Sequence, residues 1–178
     1  MLEPIALLFA NAATLFIAWL LVDSGWHKRD RANRDYYHGV FAGYGLLLAE
    51  RWRGLISLWG WAEVALALTL LIDPLRWIAA PAALVLLSVY FAAIASQLVR
   101  GQYGRDCGCA GPDGVLKISP ALLVRNGLLV GLGALALTAQ LGASSLLWWQ
   151  IIPTAAILWM SYLSFEQLLT NRQKILSL

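Results

Sequence analysis

The chain has little charge and little cysteine. Only 13% of its 178 residues are Asp, Glu, Lys or Arg, and 60% are hydrophobic, whereas about a quarter of an ordinary globular domain is charged. A soluble domain of this size has too little interior for so much apolar surface. Two cysteines exclude a disulfide-dense secreted scaffold. The net charge of +3 is too diffuse to indicate a nucleic-acid-binding protein. We therefore predict an integral membrane protein.

Long apolar runs are abundant. A helical crossing of a bilayer takes about 20 mostly apolar residues, and two of the runs open with helix-start signals, Asp73-Pro74 and Ser119-Pro120. Nine tryptophans agree with this interpretation because indole rings concentrate at membrane–water boundaries. The sequence predicts an all-α transmembrane bundle, a single integral-membrane domain over 1–178, with five crossings at about 4–22, 54–72, 74–99, 119–141 and 146–169.

One further segment, 36–50, is apolar on one helical face but too short to cross. Its uncharged part covers only 39–49, and basic residues flank it on both sides. Apolar side chains recur on one face at helical spacing, namely Tyr37, Val40, Phe41, Tyr44, Leu47 and Leu48. We interpret this segment as an amphipathic helix that lies along the membrane surface.

The distribution of Lys and Arg predicts the orientation of the bundle. With five crossings, eleven of the thirteen Lys and Arg residues fall on one side of the membrane, and only Arg76 falls on the other. A sixth crossing at 36–50 would divide them seven to five, which specifies almost nothing. Basic residues stay in the cytoplasm. We therefore expect the N-terminus outside and the C-terminus in the cytoplasm.

The two cysteines, Cys107 and Cys109, lie one residue apart in a glycine-rich loop before the fourth crossing. A disulfide between them needs a sharp backbone bend, which Gly108 permits. A bridge that closes so small a ring is strained, and strained bridges exchange readily. Of the preceding residues, Arg105 favours the thiolate form and Asp106 opposes it. The spacing favours redox exchange.

Two other interpretations of the cysteines stay open. In the first, they are incidental or structural cysteines with no redox role. In the second, they belong to a metal site, which needs more ligands, and the two histidines, His27 and His38, lie far away in sequence. We expect no metal. The chain contains no phosphate-binding loop, dinucleotide fingerprint or haem-attachment motif, so no cofactor-binding residue is indicated.

Two ionisable residues lie inside predicted crossings: Glu63 in the second and Arg125 in the fourth. Charges at such depth are costly and are usually paired or directed at a cavity. At 1.5 Å of rise per residue, Glu63 lies about 13 Å and Arg125 about 9 Å from the same membrane surface. We expect a buried Glu63–Arg125 pair that either fixes the packing of the helices or supports a site.

Together these features resemble the methylamine utilisation protein MauE family of DoxX-like membrane proteins. The shared pattern is a basic segment after the first crossing, a tyrosine-containing amphipathic stretch, an intramembrane Glu and the loop Gly101–Gly111. A crossing with Arg125-Asn126 then follows. The resemblance covers roughly residues 5–140 and is sharpest in the cysteine loop.

The resemblance implies an inner-membrane accessory protein for maturation of the disulfide-rich, tryptophan tryptophylquinone-bearing small subunit of periplasmic methylamine dehydrogenase. It also implies a thioredoxin-like partner of the MauD type. We expect Cys107 and Cys109 to exchange disulfides with that partner and Arg105 to tune or steer the exchange. The supporting residues would be Gly108, Asp106, Glu63, Arg125 and Asn126. Two alternatives are a non-catalytic scaffold for the partner and a quinone-linked thiol oxidase, which would require a membrane quinone.

The orientation can be tested with reporter fusions. We expect a reporter at the C-terminus and a reporter inserted in the 100–119 loop both to give a cytoplasmic signal, because the basic residues concentrate there. A periplasmic signal from the loop would contradict the five-crossing arrangement and would place the cysteines on the side of the exported subunit.

Overall fold

The computed structural model describes residues 2–45, 53–109, 111–112, 116–139 and 148–175. In this part of the chain the regular structure is helical, apart from one isolated bridge between Asp106 and Lys117. The predicted all-α fold is confirmed. A short 3-10 turn, Arg31–Asn33, joins the first two of the six α-helices. These are α1 (Leu2–Arg29), α2 (Arg34–Gly43), α3 (Arg53–Leu70), α4 (Asp73–Val99), α5 (Pro120–Ala136) and α6 (Trp148–Ile175).

The predicted helix starts at proline agree with the structure to within one residue. Ser119 caps α5, and its side-chain oxygen accepts a hydrogen bond from the Leu122 N–H at 3.4 Å. Pro120 then fills the first helical position, where a missing N–H costs nothing. Asp73 is the first residue of α4 rather than its cap. Its negative carboxylate interacts favourably there with the positive end of the helix dipole.

Other boundaries differ from the prediction. The first helix continues past 22 to Arg29, because its last turn carries His27, Lys28 and Arg29, which suit the negative end of the dipole. The predicted surface helix is shorter, since α2 ends at Gly43, and residues 46–50 lie outside the described part. In the same way, 140–147 is not described, so the end of the fourth predicted crossing and the start of the fifth are untested.

Long helices pack around α1, which contacts α3, α5 and α6, while α4 packs against α3 and α5. The interior is built from apolar side chains of these helices, including Phe16, Ile17, Leu21, Leu70 and Leu87. The outer faces are also apolar: Trp77 is 75% exposed and Leu168 is 66% exposed. Soluble monomers rarely expose large apolar patches. The surface is therefore suited to lipid.

Several polar residues lie in the interior instead of on the surface. Asn11, Glu63, Gln97 and Arg125 are all buried between helices. Two helical segments, Ile5–Arg29 and α4, are long and apolar enough to cross a membrane, and α3 and α5 contain shorter apolar helices. This arrangement is consistent with an all-α membrane protein, and the number of crossings stays a prediction.

The bundle has two distinct ends. We call the end that holds residues 100–109 the cysteine end. The last turns of α6 reach it, because Gln173 accepts a hydrogen bond from the Lys117 N–H at 2.9 Å and donates one to the Lys117 carbonyl at 3.0 Å. The ring of His27, near the end of α1, lies beside Gly111 at the same end. The start of α1 must then lie at the opposite end, since its 28 residues extend about 40 Å.

A pair of glycines allows α1 and α3 to cross in close contact. A Cβ atom at Gly25 would lie 2.5 Å from the carbonyl oxygen of Gly60, and one at Gly60 would lie 2.6 Å from the carbonyl oxygen of Gly25. At these distances only the hydrogen atom of a glycine fits at positions 25 and 60. Small residues at helix crossings are typical of membrane bundles, where backbones approach closely.

Replacing either crossing glycine should therefore destabilise the bundle. Alanine normally stabilises a helix by about 1 kcal/mol relative to glycine, but at Gly25 or Gly60 it must separate two backbones, and overpacking costs about 1–3 kcal/mol. We expect Gly25→Ala and Gly60→Ala to lower the melting temperature of the purified protein in detergent. Gly131→Ala is the matched control, because a Cβ at Gly131 meets nothing within 4 Å. Equal melting temperatures for all three variants would contradict the close crossing.

Candidate disulfide site at the cysteine end

The cysteine loop is anchored to the bundle by backbone hydrogen bonds. The Cys107 N–H donates to the Leu116 carbonyl at 3.0 Å, and the Ile118 N–H donates to the Arg105 carbonyl at 2.8 Å. Leu116 and Ile118 are buried in an apolar cluster that also contains Ile94 and Cys107. The first cysteine is thus held in the bundle by both its backbone and its side chain.

Cys107 and Cys109 are joined by a disulfide, with their Cα atoms 5.3 Å apart. Gly108 between them has a φ of +72°, in the left-handed region that favours glycine. The Gly108 N–H donates to Asp106 Oδ1 at 2.9 Å, which closes the turn through a side chain. Of the predicted site residues, Cys107, Cys109, Gly108 and Asp106 therefore meet in one turn.

The two sulfurs differ in access and in surroundings. Cys107 is 5% exposed, whereas Cys109 is an exposed residue. The Cys109 N–H lies 3.0 Å from Cys107 Sγ and points a donor at that sulfur. An attacking thiolate would reach the Cys109 sulfur first, and the N–H would stabilise Cys107 as the leaving thiolate. This asymmetry could not be predicted from two cysteines in one short motif.

Helix α2 clamps the turn through side chains that the sequence analysis did not select. The Tyr36 hydroxyl donates to Asp106 Oδ2 at 3.0 Å, and the Tyr44 hydroxyl donates to the Cys107 carbonyl at 3.4 Å. Arg105 Nη1 donates to the Gly43 carbonyl at 2.9 Å, so this predicted site residue fastens the loop to α2. Of the two tyrosines, only Tyr44 lies on the apolar face of 36–50, which was the available signal.

Both clamping hydroxyls remain protonated at ordinary pH. Burial, reinforced by the negative charge of Asp106, raises the pKa of Tyr44 to about 12. The same causes, with the hydrogen bond to Asp106, raise the pKa of Tyr36 still further. A phenol with a raised pKa stays a hydrogen-bond donor. The clamp is therefore insensitive to pH in the physiological range.

Glu63 pairs with Lys28 and not with Arg125, so the predicted pair is wrong. Lys28 Nζ lies 2.7 Å and 2.9 Å from the two carboxylate oxygens of Glu63. Tyr90 also donates to Glu63, and the Trp59 indole N–H lies 3.2 Å from the same oxygen. The reason for the difference is that α1 continues past 22 and crosses α3 at Gly25 and Gly60, which places Lys28 beside Glu63.

Arg125 pairs with Glu166 of α6 instead. Arg125 Nη2 lies 3.1 Å from Glu166 Oε1, and the guanidinium carbon lies 4.6 Å above the ring of Tyr162. The side-chain amide of Asn126 donates to the Leu122 carbonyl of its own helix at 3.0 Å. Both predicted supporting residues thus contact groups of α5 and α6, and these contacts do not involve the disulfide turn.

The end of α1 connects the Lys28–Glu63 pair to the cysteine loop. The imidazole of His27 would lie 3.4 Å from a Cβ atom at Gly111, so this ring packs directly under the loop. Asn33, in the turn before α2, donates to the His27 carbonyl at 3.0 Å. The end of α1 thus contacts both the Lys28–Glu63 pair and the cysteine loop.

Comparison with known proteins agrees with the resemblance found in the sequence. The family described as methylamine utilisation protein MauE matches residues 6–139. Methylamine utilization protein MauE of Methylophilus methylotrophus is 32% identical over 138 residues, which cover 78% of this chain and 66% of that protein. The MauE protein of Paracoccus denitrificans is 34% identical over 135 residues, 75% of this chain and 70% of that protein. The chain thus spans about two thirds of the length of these relatives. No solved structure matches it.

The corrected ion pair predicts which charges are coupled. Removing one partner of a buried pair strands the other charge and costs about 3–5 kcal/mol, whereas replacing both by apolar residues is often neutral. We expect Lys28→Met and Glu63→Met each to lower the melting temperature and the membrane accumulation, and the double variant to recover most of the loss.

The comparison pair is Glu63 and Arg125. Since these residues have different partners, Glu63→Met and Arg125→Met should have additive effects on the melting temperature. Coupling in this second cycle, or additivity in the first, would contradict the assigned pairs.

Proposed function

Because the chain belongs to the MauE family, we propose that it is a membrane accessory protein of methylamine utilisation that exchanges disulfides with a thioredoxin-like partner. The proposed client is an exported, disulfide-rich enzyme subunit, with the small subunit of methylamine dehydrogenase as the family's example. The observation that carries the proposal is the disulfide with one buried cysteine, Cys107, and one exposed cysteine, Cys109, held in a turn that is clamped to an apolar bundle. A purely structural bridge would gain nothing from that exposure.

The proposed exchange starts at Cys109. A thiolate of the partner attacks Cys109 Sγ, the bond between Cys107 and Cys109 breaks, and Cys107 leaves as a thiolate. The second thiolate of the partner then attacks its own sulfur in the mixed disulfide and releases Cys109. The partner loses two electrons and forms a disulfide, and the Cys107–Cys109 pair gains those electrons and takes up two protons. The same steps in reverse would reduce the partner.

The neighbouring residues have distinct proposed roles. The Cys109 N–H, 3.0 Å from Cys107 Sγ, stabilises the leaving thiolate. Arg105 adds a positive charge two residues before Cys107 and favours the same thiolate. Asp106 acts on geometry, because its two oxygens accept from the Gly108 N–H and the Tyr36 hydroxyl. Glu63 acts only through the position of α1.

The side of the membrane decides which protein supplies the electrons. The basic-residue bias favours a cysteine end in the cytoplasm. There the thiol pool is reducing and would keep the partner reduced, so electrons would pass from the partner to the pair. If the reporter fusions place this end in the periplasm, the pair faces the client directly and acts as its oxidant.

Single cysteine variants test the exchange. Cys107→Ser leaves the exposed Cys109 thiol to form a mixed disulfide that its neighbour cannot resolve. We expect this variant to trap a covalent adduct with the thioredoxin-like partner on a non-reducing gel. Cys109→Ser leaves only the buried thiol and should trap little or nothing, and the double variant should trap nothing.

Client maturation is the second measurement in the same strains. All three variants should abolish it while inserting into the membrane at the parent level, because helix packing holds the bundle together. If the double variant matures the client as well as the parent does, the exchange is wrong and a non-catalytic scaffold for the partner takes its place.

A further inference from the structure

A cavity of about 370 Å³ lies beside the disulfide turn, between α2 and the cysteine loop. Two glycines of α2 form one wall. A Cβ atom at Gly39 would meet nothing within 4 Å, and one at Gly43 would meet only Arg105 Nη1 at 4.0 Å. Small pockets of this size lined by apolar and aromatic groups with a few polar atoms are typical ligand sites.

The rest of the lining favours a flat, uncharged ring with hydrogen-bond acceptors. Tyr36 and Tyr44 contribute aromatic rings, which pack well against another ring. Donors come from the Arg105 guanidinium at the rim and from the side-chain amide of Gln97, a residue only 2% exposed. The carboxylate of Asp106, already occupied by two donors, disfavours an anionic ligand. A quinone ring with two carbonyl oxygens has this chemistry.

The cavity and the disulfide share their walls. Tyr44 lines the cavity and also donates to the Cys107 carbonyl. Val40 lines the cavity and packs against Gly108, where a Cβ atom would lie 2.8 Å from Val40 Cγ1. Asp106 lines it too and directly precedes Cys107. A ring in the cavity would therefore lie against the turn that carries both sulfurs.

We propose that this cavity binds the ring of a membrane quinone, which accepts electrons from the reduced Cys107–Cys109 pair. The inference rests on the exchange proposed above, since the partner must first reduce the pair. In the reaction two S–H bonds break and one S–S bond forms. The two electrons and two protons pass to the two carbonyl oxygens of the quinone, and the quinol returns to the bilayer.

The test uses the full chain, purified in detergent, reduced with a dithiol and freed of it. A short-tailed, fully substituted ubiquinone is the probe, because thiols cannot add to its ring. We expect one quinol for each cysteine pair oxidised. Gly39→Leu and Gly43→Leu fill the cavity and should slow quinol formation at least tenfold. Gly131→Leu is the control, since its Cβ faces open space, and it should react at the parent rate.

A second measurement separates this inference from the proposed exchange. The disulfide form of each variant is mixed with the reduced thioredoxin-like partner, and one turnover of partner oxidation is followed. Normal exchange in Gly39→Leu, together with slow quinol formation, supports the cavity as the quinone site. Gly43→Leu serves for quinol formation alone, because the Gly43 carbonyl also holds Arg105. If the parent protein exchanges normally with the partner but forms no quinol, the quinone inference is wrong and the proposed exchange stands.

Two further outcomes count against the inference. If both filled variants form quinol at the parent rate, the quinone does not bind in this cavity. If the parent fails to exchange with the partner, the proposed function is wrong, and the quinone inference that rests on it is wrong as well.

Discussion

The close crossing of α1 and α3 is the constraint on which the cysteine end depends. Gly25 and Gly60 have no side chains, so the two backbones touch, and the next turn of α1 places Lys28 against Glu63. Both charges are almost completely buried, and neither could remain there without the other. The ion pair therefore fixes both the register and the rotation of α1 relative to α3.

The fixed end of α1 determines where the following segment goes. The His27 carbonyl accepts from Asn33, so the turn between α1 and α2 folds back onto the helix it leaves. The loop is then held against this segment by Tyr36 of α2, by Tyr44 directly after α2, and by its own Arg105, which donates to Gly43. A series of contacts thus leads from the Lys28–Glu63 pair through the end of α1 and the turn before α2 to the disulfide turn.

Sequence reasoning found the elements whose signal is local. Composition identified an apolar helical bundle, proline located the starts of α4 and α5, and the glycine between two cysteines indicated a tight turn. Pairing between helices depends instead on which faces meet, and no local pattern encodes this. The partners of Glu63 and Arg125 were therefore wrong, although the expectation that each charge has a partner was right.

The tyrosine clamp was missed for a related reason. On a helical projection, Tyr36 lies outside the apolar face that was used to predict the surface helix, and Tyr44 lies within it as one more apolar residue. Their hydroxyls matter only because the cysteine loop, more than 60 residues later in the chain, returns to α2. Long-range contacts of this kind become visible only once the fold is known.

The unequal anchoring of the two cysteines has a mechanical consequence. The backbone N–H of Cys107 donates a hydrogen bond to Leu116, and its side chain packs among apolar side chains. Cys109, by contrast, is exposed and follows Gly108, whose backbone can adopt a wide range of dihedral angles. In the exchange that we propose, we expect Cys107 to keep its place when the disulfide opens and Cys109 to gain freedom to approach a second protein. The partner would then bind without disturbing the backbone hydrogen bonds of Cys107, the tyrosine clamp or the cavity. This division of roles suits the proposed exchange, because one sulfur holds the geometry while the other one moves.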